Sequence, residues 1–167
     1  EMMETLHSEQ SSIVTDPDMS GLRSPVLREI YEFWSGLRSG DGLPSRSDFL
    51  PTDLSVGLLP HVAIADVIKD GGDLNFRWRL IGTHTTSNTG RDMTGRYFDE
   101  IYAGENYDEL VSTYIWLVEN AMPLRWQGNS QFVNKEWMMV EIVGLPLASD
   151  GRTVDKLLLG AVYEPYL

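Results

Sequence analysis

Two carboxylates, Asp66 and Glu141, stand inside otherwise apolar, strand-like stretches. If both faced one cavity they could do acid–base work there, as in small cone-shaped isomerases. Their spacing alone does not bring them together. Arg77 and Arg79 lie two apart on a strand and so share a face. They could receive a carboxylate ligand or the acidic segment of a partner. The simpler reading is an exposed face with its charges paired, and Glu141 is the natural partner. The histidines are His7, His61 and His84. His84 follows a strand and could be an axial haem ligand, although a capping or surface role is commoner. No His-x-x-x-His spacing marks a metal site.

Other chemistry is excluded by what the chain lacks. There is no cysteine. Disulfides, thiolate zinc sites, cysteine nucleophiles and any thiol-linked chromophore are therefore ruled out. A flavin held without a covalent bond stays compatible, and Trp78, Trp116, Trp126 and Trp137 could stack on it. Aromatic residues at these spacings more often form core. No phosphate loop or Gly-x-Ser-x-Gly elbow occurs. The net charge is -12 with no basic run, which argues against nucleic acid and against an anionic membrane surface. No apolar stretch approaches the roughly 20 residues of a membrane span. The first residues lack the pattern of a signal peptide, and a cytoplasmic location is expected.

The elements that must position these groups are organised around residues 76 to 96. Phe76, Trp78 and Leu80 alternate with Arg77 and Arg79, the period of a half-buried strand. Gly82 breaks the strand, Thr83 can cap a helical turn, and Gly90 and Gly95 allow positive φ. Short helices of this kind suit a small antiparallel sheet and not a doubly wound one, which needs long crossover helices. Upstream, residues 1 to 22 read as a flexible arm. Ser24-Pro25 then opens a helix over 25 to 39, with Leu27, Ile30, Tyr31, Trp34 and Leu37 on one face. That face either packs on the domain or forms a homodimer. A short helix is expected within 51 to 59.

Strands are expected over 61 to 69 and 74 to 82, joined by a hairpin at Gly71-Gly72. A longer helix follows over 106 to 120. Leu110, Val111, Tyr114, Leu117 and Val118 form its inner face, and Thr113 falls on the outer one. Three further strands end the chain, near 124 to 132, 137 to 147 and 154 to 163. In the fourth strand Trp137, Met139, Glu141 and Val143 share one face, and Met138, Val140 and Ile142 the other. Both are largely apolar, so alternation does not say which looks inward. Residues 23 to 167 are read as one domain.

This element order, with the N-terminal helix set aside, resembles the PAS fold. Local stretches add to the resemblance: Leu43-Pro44-Ser45-Arg46-Ser47-Asp48, Leu58-Leu59-Pro60-His61, Phe76 through Thr83, Gly90-Arg91-Asp92-Met93-Thr94-Gly95-Arg96, and Leu145-Pro146-Leu147 before Asp150-Gly151. Together they are similar to a bacterial family of stand-alone PAS-like proteins. Where that family often has an acidic residue before the proline of its short helix, Leu50 stands here. The resemblance implies an α+β domain: a five-stranded antiparallel sheet, short helices over one face, and the added N-terminal helix. It implies a sensory or regulatory module and names no ligand. In such folds a haem histidine usually sits on the long helix, and 106 to 120 contains none, so haem is not expected.

The expected function is non-catalytic: non-covalent binding of a small molecule or a signalling protein, passed on by association, with a homodimer expected through the helix face above. The sequence stops soon after the fifth strand, so a stand-alone module is expected. The alternative is a small enzyme with Asp66 or Glu141 as general base. A pocket is expected among Trp78, Leu80, Tyr114 and Met139, with His84 near its mouth.

Overall fold

The computed structural model describes residues 3–4, 12–14, 19–102, 104–130 and 135–165. His7, the expected turn residue Asn134, the Trp137 side chain and most of the N-terminal arm lie outside the described residues.

The strands are β1 (Met3–Glu4), β2 (Ser12–Val14), β3 (Val62–Asp70), β4 (Asp73–Ile81), β5 (Leu124–Ser130), β6 (Lys135–Leu147) and β7 (Lys156–Pro165). They form one sheet in the order β1-β2-β5-β6-β7-β3-β4, and every pairing is antiparallel. The central five are the expected sheet. Gly71 and Gly72, with φ of 60° and 97°, make the expected hairpin between β3 and β4. β5, β6 and β7 form a meander, and β3 lies beside β7. The sheet is wider than expected because β2 adds to the edge of β5 and β1 to β2.

The helices are α1 (Pro25–Leu37), α2 (Thr83–Thr89), α3 (Phe98–Ile101) and α4 (Gly104–Asn120). They divide between the two faces of the sheet. α2, α3 and α4 cover the front. Phe76, Trp78, Phe98, Tyr114 and Leu117 form the front core with Met138, Val140 and Ile142 of β6. α1 covers the back, where Leu27, Ile30 and Trp34 pack on Ile64, Val143, Leu145 and Leu158. The two apolar faces of β6 thus have one cause: the sheet is buried on both sides.

Local chemistry sets the helix ends. Ser24 caps α1, its hydroxyl accepting from Leu27 N at 3.4 Å, and Pro25 opens the first turn. Gly82, not Thr83, caps α2. A Cβ at Gly82 would lie 2.2 Å from the carbonyl oxygen of Pro60, so only glycine lets the two segments approach. The helix expected within 51 to 59 is a 3₁₀ turn at Pro51–Asp53, and a second turn follows at Leu59–His61. Leu50 supplies no side-chain cap. Asp53 reaches back instead, its carboxylate accepting from Leu50 N at 2.8 Å. Thr113 turns inward on α4, because its hydroxyl donates to Glu109 O at 3.0 Å and needs no water.

Candidate functional site

The front core closes around a cavity of about 30 Å³. β4 contributes Trp78, α4 contributes Tyr114, and β7 contributes Ala161 and Tyr163. Ala63 of β3, Thr85 and Thr89 of α2, and Met93 also line it. The volume is about that of one water molecule.

Aromatic rings pack in the wall and behind it. Trp78 and Phe98 lie with ring centroids 4.8 Å apart, and Phe98 and Tyr114 lie 5.6 Å apart. Trp78 Nε1 donates to the Tyr102 hydroxyl at 3.1 Å, and that hydroxyl donates to Met93 Sδ at 3.7 Å. Burial pushes the Tyr102 pKa up to about 12, against the opposing hydrogen bond from Trp78. Burial likewise pushes Tyr114 and Tyr163 well above the usual phenol range. The phenols therefore stay neutral. One polar atom in the wall is unsatisfied: the Thr85 hydroxyl oxygen is buried and has no hydrogen-bond partner.

Of the residues assigned to a pocket from the sequence, Trp78 and Tyr114 both line this cavity. Leu80 does not join them. Ala65 pairs with Trp78 but Ile64 pairs with Leu80, so Arg79 is an extra residue in a β-bulge. The bulge breaks the period of two and turns Leu80 to the back core. Met139 is also elsewhere. It lies on the back face of β6 and lines a surface cleft of about 240 Å³ with Arg23, Ser24, Gln127, Glu141 and Glu164. Its neighbour Met138 is the one in the front core. Trp126 belongs to that core, and Trp116 packs against it.

His84 sits beside the cavity and not in its lining. Its Nε2 accepts the backbone N–H of Tyr163 at 3.1 Å, and its ring lies 4.1 Å from that of His61. Burial, and then the charge of His61, hold its pKa below the ordinary 6.5. His61 carried no assigned role in the sequence; only a structure shows that residues 61 and 84 meet.

Neither carboxylate reaches the front cavity. Asp66 pairs with Arg77 and Arg79, in place of the expected Glu141. Its Oδ2 accepts from Arg77 Nη2 at 3.0 Å and from Arg79 Nη2 at 2.7 Å, and Lys156 Nζ stands 3.3 Å from Oδ1. Burial alone would raise the Asp66 pKa. The hydrogen bonds from Arg77 and Arg79 and the charge of Lys156 outweigh it and hold the carboxyl below its usual range. Glu141 anchors α1, its two oxygens accepting from Arg23 N and Ser24 N, each at 2.9 Å.

The expected association face is largely used within the chain. Leu27, Ile30 and Trp34 are at most 1% exposed against the back of the sheet. Tyr31 and Leu37 pack partly buried around them. The helix can bury this stripe on its own sheet because Gly160 leaves room for Ile30 and Leu27.

A family model described as a PAS domain matches residues 22–163. The chain belongs to the PAS domain family. The match takes in α1 as well as the central five strands. The cavity of this PAS domain lies between its sheet and α2 and α4. Comparison with curated proteins gives no match, and neither does comparison with solved structures. Among the described residues no group of three or more His, Asp or Glu side chains is placed to hold a metal ion, and no helix is long and apolar enough to cross a membrane.

Proposed function

We propose that this PAS domain is a sensory module whose front cavity takes a small, mainly apolar ligand with one hydrogen-bonding group, held without a covalent bond. The observation that carries this reading is the Thr85 hydroxyl, unsatisfied in a wall of aromatic and aliphatic side chains. A buried hydroxyl without a partner costs on the order of 1–3 kcal/mol, which a ligand's donor or acceptor would recover. The resting volume of about 30 Å³ limits the ligand to very few atoms unless the wall moves. Signal output then passes to a partner protein or a second copy through a surface other than the buried stripe of α1.

A non-catalytic role fits the carboxylates. Asp66 is held ionised by three cations, and Glu141 spends both oxygens on backbone amides. Neither is free to move a proton at the cavity. The small volume also favours a second reading, a filled scaffold that acts only by protein association.

Native mass spectrometry of freshly purified protein, with a thermal-shift screen of small apolar fragments, separates the two. A co-purifying molecule, or stabilisation that is lost in Ala63→Leu, supports the sensor. No bound molecule and no stabilising fragment supports the filled scaffold.

A further inference from the structure

β7 outruns its neighbour. The ladder between β3 and β7 ends at the pair Val62–Gly160, yet β7 continues to Pro165. Two histidine side chains take over the edge that β3 leaves open. His61 Nδ1 donates to Ala161 O at 3.0 Å, and His84 Nε2 accepts from Tyr163 N at 3.1 Å.

These partners dictate the protons. A carbonyl only accepts, so His61 Nδ1 carries hydrogen whether or not the ring is charged. An amide N–H only donates, so His84 Nε2 must be bare, and His84 must be neutral. The two rings lie 4.1 Å apart at an interplanar angle of 39°. Among the described residues, the titratable groups that face His84 are His61, from the turn before β3, and Tyr163, whose ring lies 6.0 Å away on β7. The rest of α2 is threonine, serine and asparagine. Glu164 lines the cleft on the opposite face of the sheet. No carboxylate among these groups would stabilise an imidazolium.

Ala161 and Tyr163, the residues held by the histidines, both line the front cavity. We propose that His61 and His84 form a proton-sensitive latch on that cavity. A proton taken from solvent on His84 Nε2 removes the acceptor of the Tyr163 amide and places an imidazolium against His61. The end of β7 then parts from α2, and the cavity widens between Tyr163, Ala161 and Thr85. The inference rests on the reading of this cavity as the sensing site. Burial keeps His84 neutral at neutral pH, so the latch is closed there and opens in mild acid.

The test follows amide hydrogen exchange by NMR in wild type and in His84→Gln, whose side-chain oxygen can accept from Tyr163 without titrating. Dissolved xenon serves as the probe of the cavity. As pH falls from 7.5 through the His84 midpoint, read by imidazole titration, wild-type Tyr163 should lose protection relative to the amides of residues 157–159 by roughly tenfold, about the worth of one hydrogen bond. Xenon binding should strengthen over the same range. In His84→Gln both changes should vanish. Constant Tyr163 protection in wild type overturns the latch, as does an equal loss in the variant. If His84→Gln does not fold, the wild-type imidazole titration decides: a His84 midpoint that differs from the midpoint of Tyr163 exchange overturns the latch. Tyr163 responding while xenon binds at neither pH overturns the sensing reading and leaves the latch standing.

Discussion

Trp34 Nε1 donates to the carbonyl oxygen of Pro146 at 2.9 Å inside the back core. The bond ties α1 to β6 where the indole is 1% exposed. Tyr31 stacks on the same indole with centroids 6.1 Å apart, and the Arg38 guanidinium lies 5.1 Å from its centroid. One side chain therefore supplies buried area, a satisfied donor and a cation–π contact.

Trp34→Ala should destabilise the domain by about 3–5 kcal/mol, the usual cost of truncating a buried aromatic. Trp34→Phe should cost about 1–3 kcal/mol, since the Pro146 carbonyl loses its donor. Urea unfolding checks both. An unchanged midpoint in Trp34→Ala would mean that α1 is not part of the cooperative fold.

The Asp66 cluster gives an unequal pair of outcomes. Asp66→Ala leaves three cations facing one another and should cost roughly 2–3 kcal/mol. Arg79→Ala should cost well under 1 kcal/mol, because the Arg79 side chain is 56% exposed and Arg77 and Lys156 remain. Thermal unfolding of the two variants should rank them in that order.

Stability should fall in two separate pH windows. The His84 pKa is lowered in the folded chain, so the unfolded chain binds that proton first. Its contribution is complete above pH 6.5 and declines below it toward the lowered folded value. The Asp66 pKa is also lowered. Its contribution is present above 3.8 and is lost as pH falls from there through the folded value. A thermal-unfolding series against pH should show both declines. His84→Gln should remove the upper one alone, and Asp66→Asn the lower one alone.

Thr85→Val keeps the shape of the side chain and removes its unsatisfied hydroxyl. With the cavity empty, the variant should be more stable than wild type by about 1 kcal/mol. A loss of stability would show that the hydroxyl holds something in the purified protein. Calorimetry reads the sign directly.

Gly82→Ala should be the most damaging of the glycine changes. Its Cβ would meet backbone atoms of Pro60 and Leu59 at 2.2 to 2.7 Å. The added methyl pushes the turn of His61 away from α2, so the His61–His84 contact should break as well. Loss of cooperative melting, or of the close His61–His84 contact in NMR, is the expected result. At Gly160 the same added atom meets side-chain atoms of Ile30, Leu27 and Val143 and no backbone, at 2.9 to 3.1 Å, and should cost less.

The sequence by itself determined α1, α4 and the central five strands and their order along the chain, but not the edge strands β1 and β2. Helix periodicity located α1 and α4, Ser24-Pro25 marked the start of α1, and Gly71-Gly72 marked the hairpin of β3 and β4. These signals are local: capping, turn geometry and amphipathic period act over a few residues. The family resemblance then supplied the arrangement of the five central strands. The site was less legible, because each missing part depends on a distant segment. The bulge at Arg79 exists only in the pairing with β3, and it alone sends Trp78 and Leu80 to opposite faces. Two apolar faces on β6 could not be told apart, since α1 covers one and α4 the other. Asp66 took Arg77 and Arg79 from Glu141 because β3 lies next to β4, while Glu141 stands across the sheet at the start of α1. His61 and His84 meet only because β3 starts too late to cover the end of β7, leaving a carbonyl and an amide that side chains must satisfy.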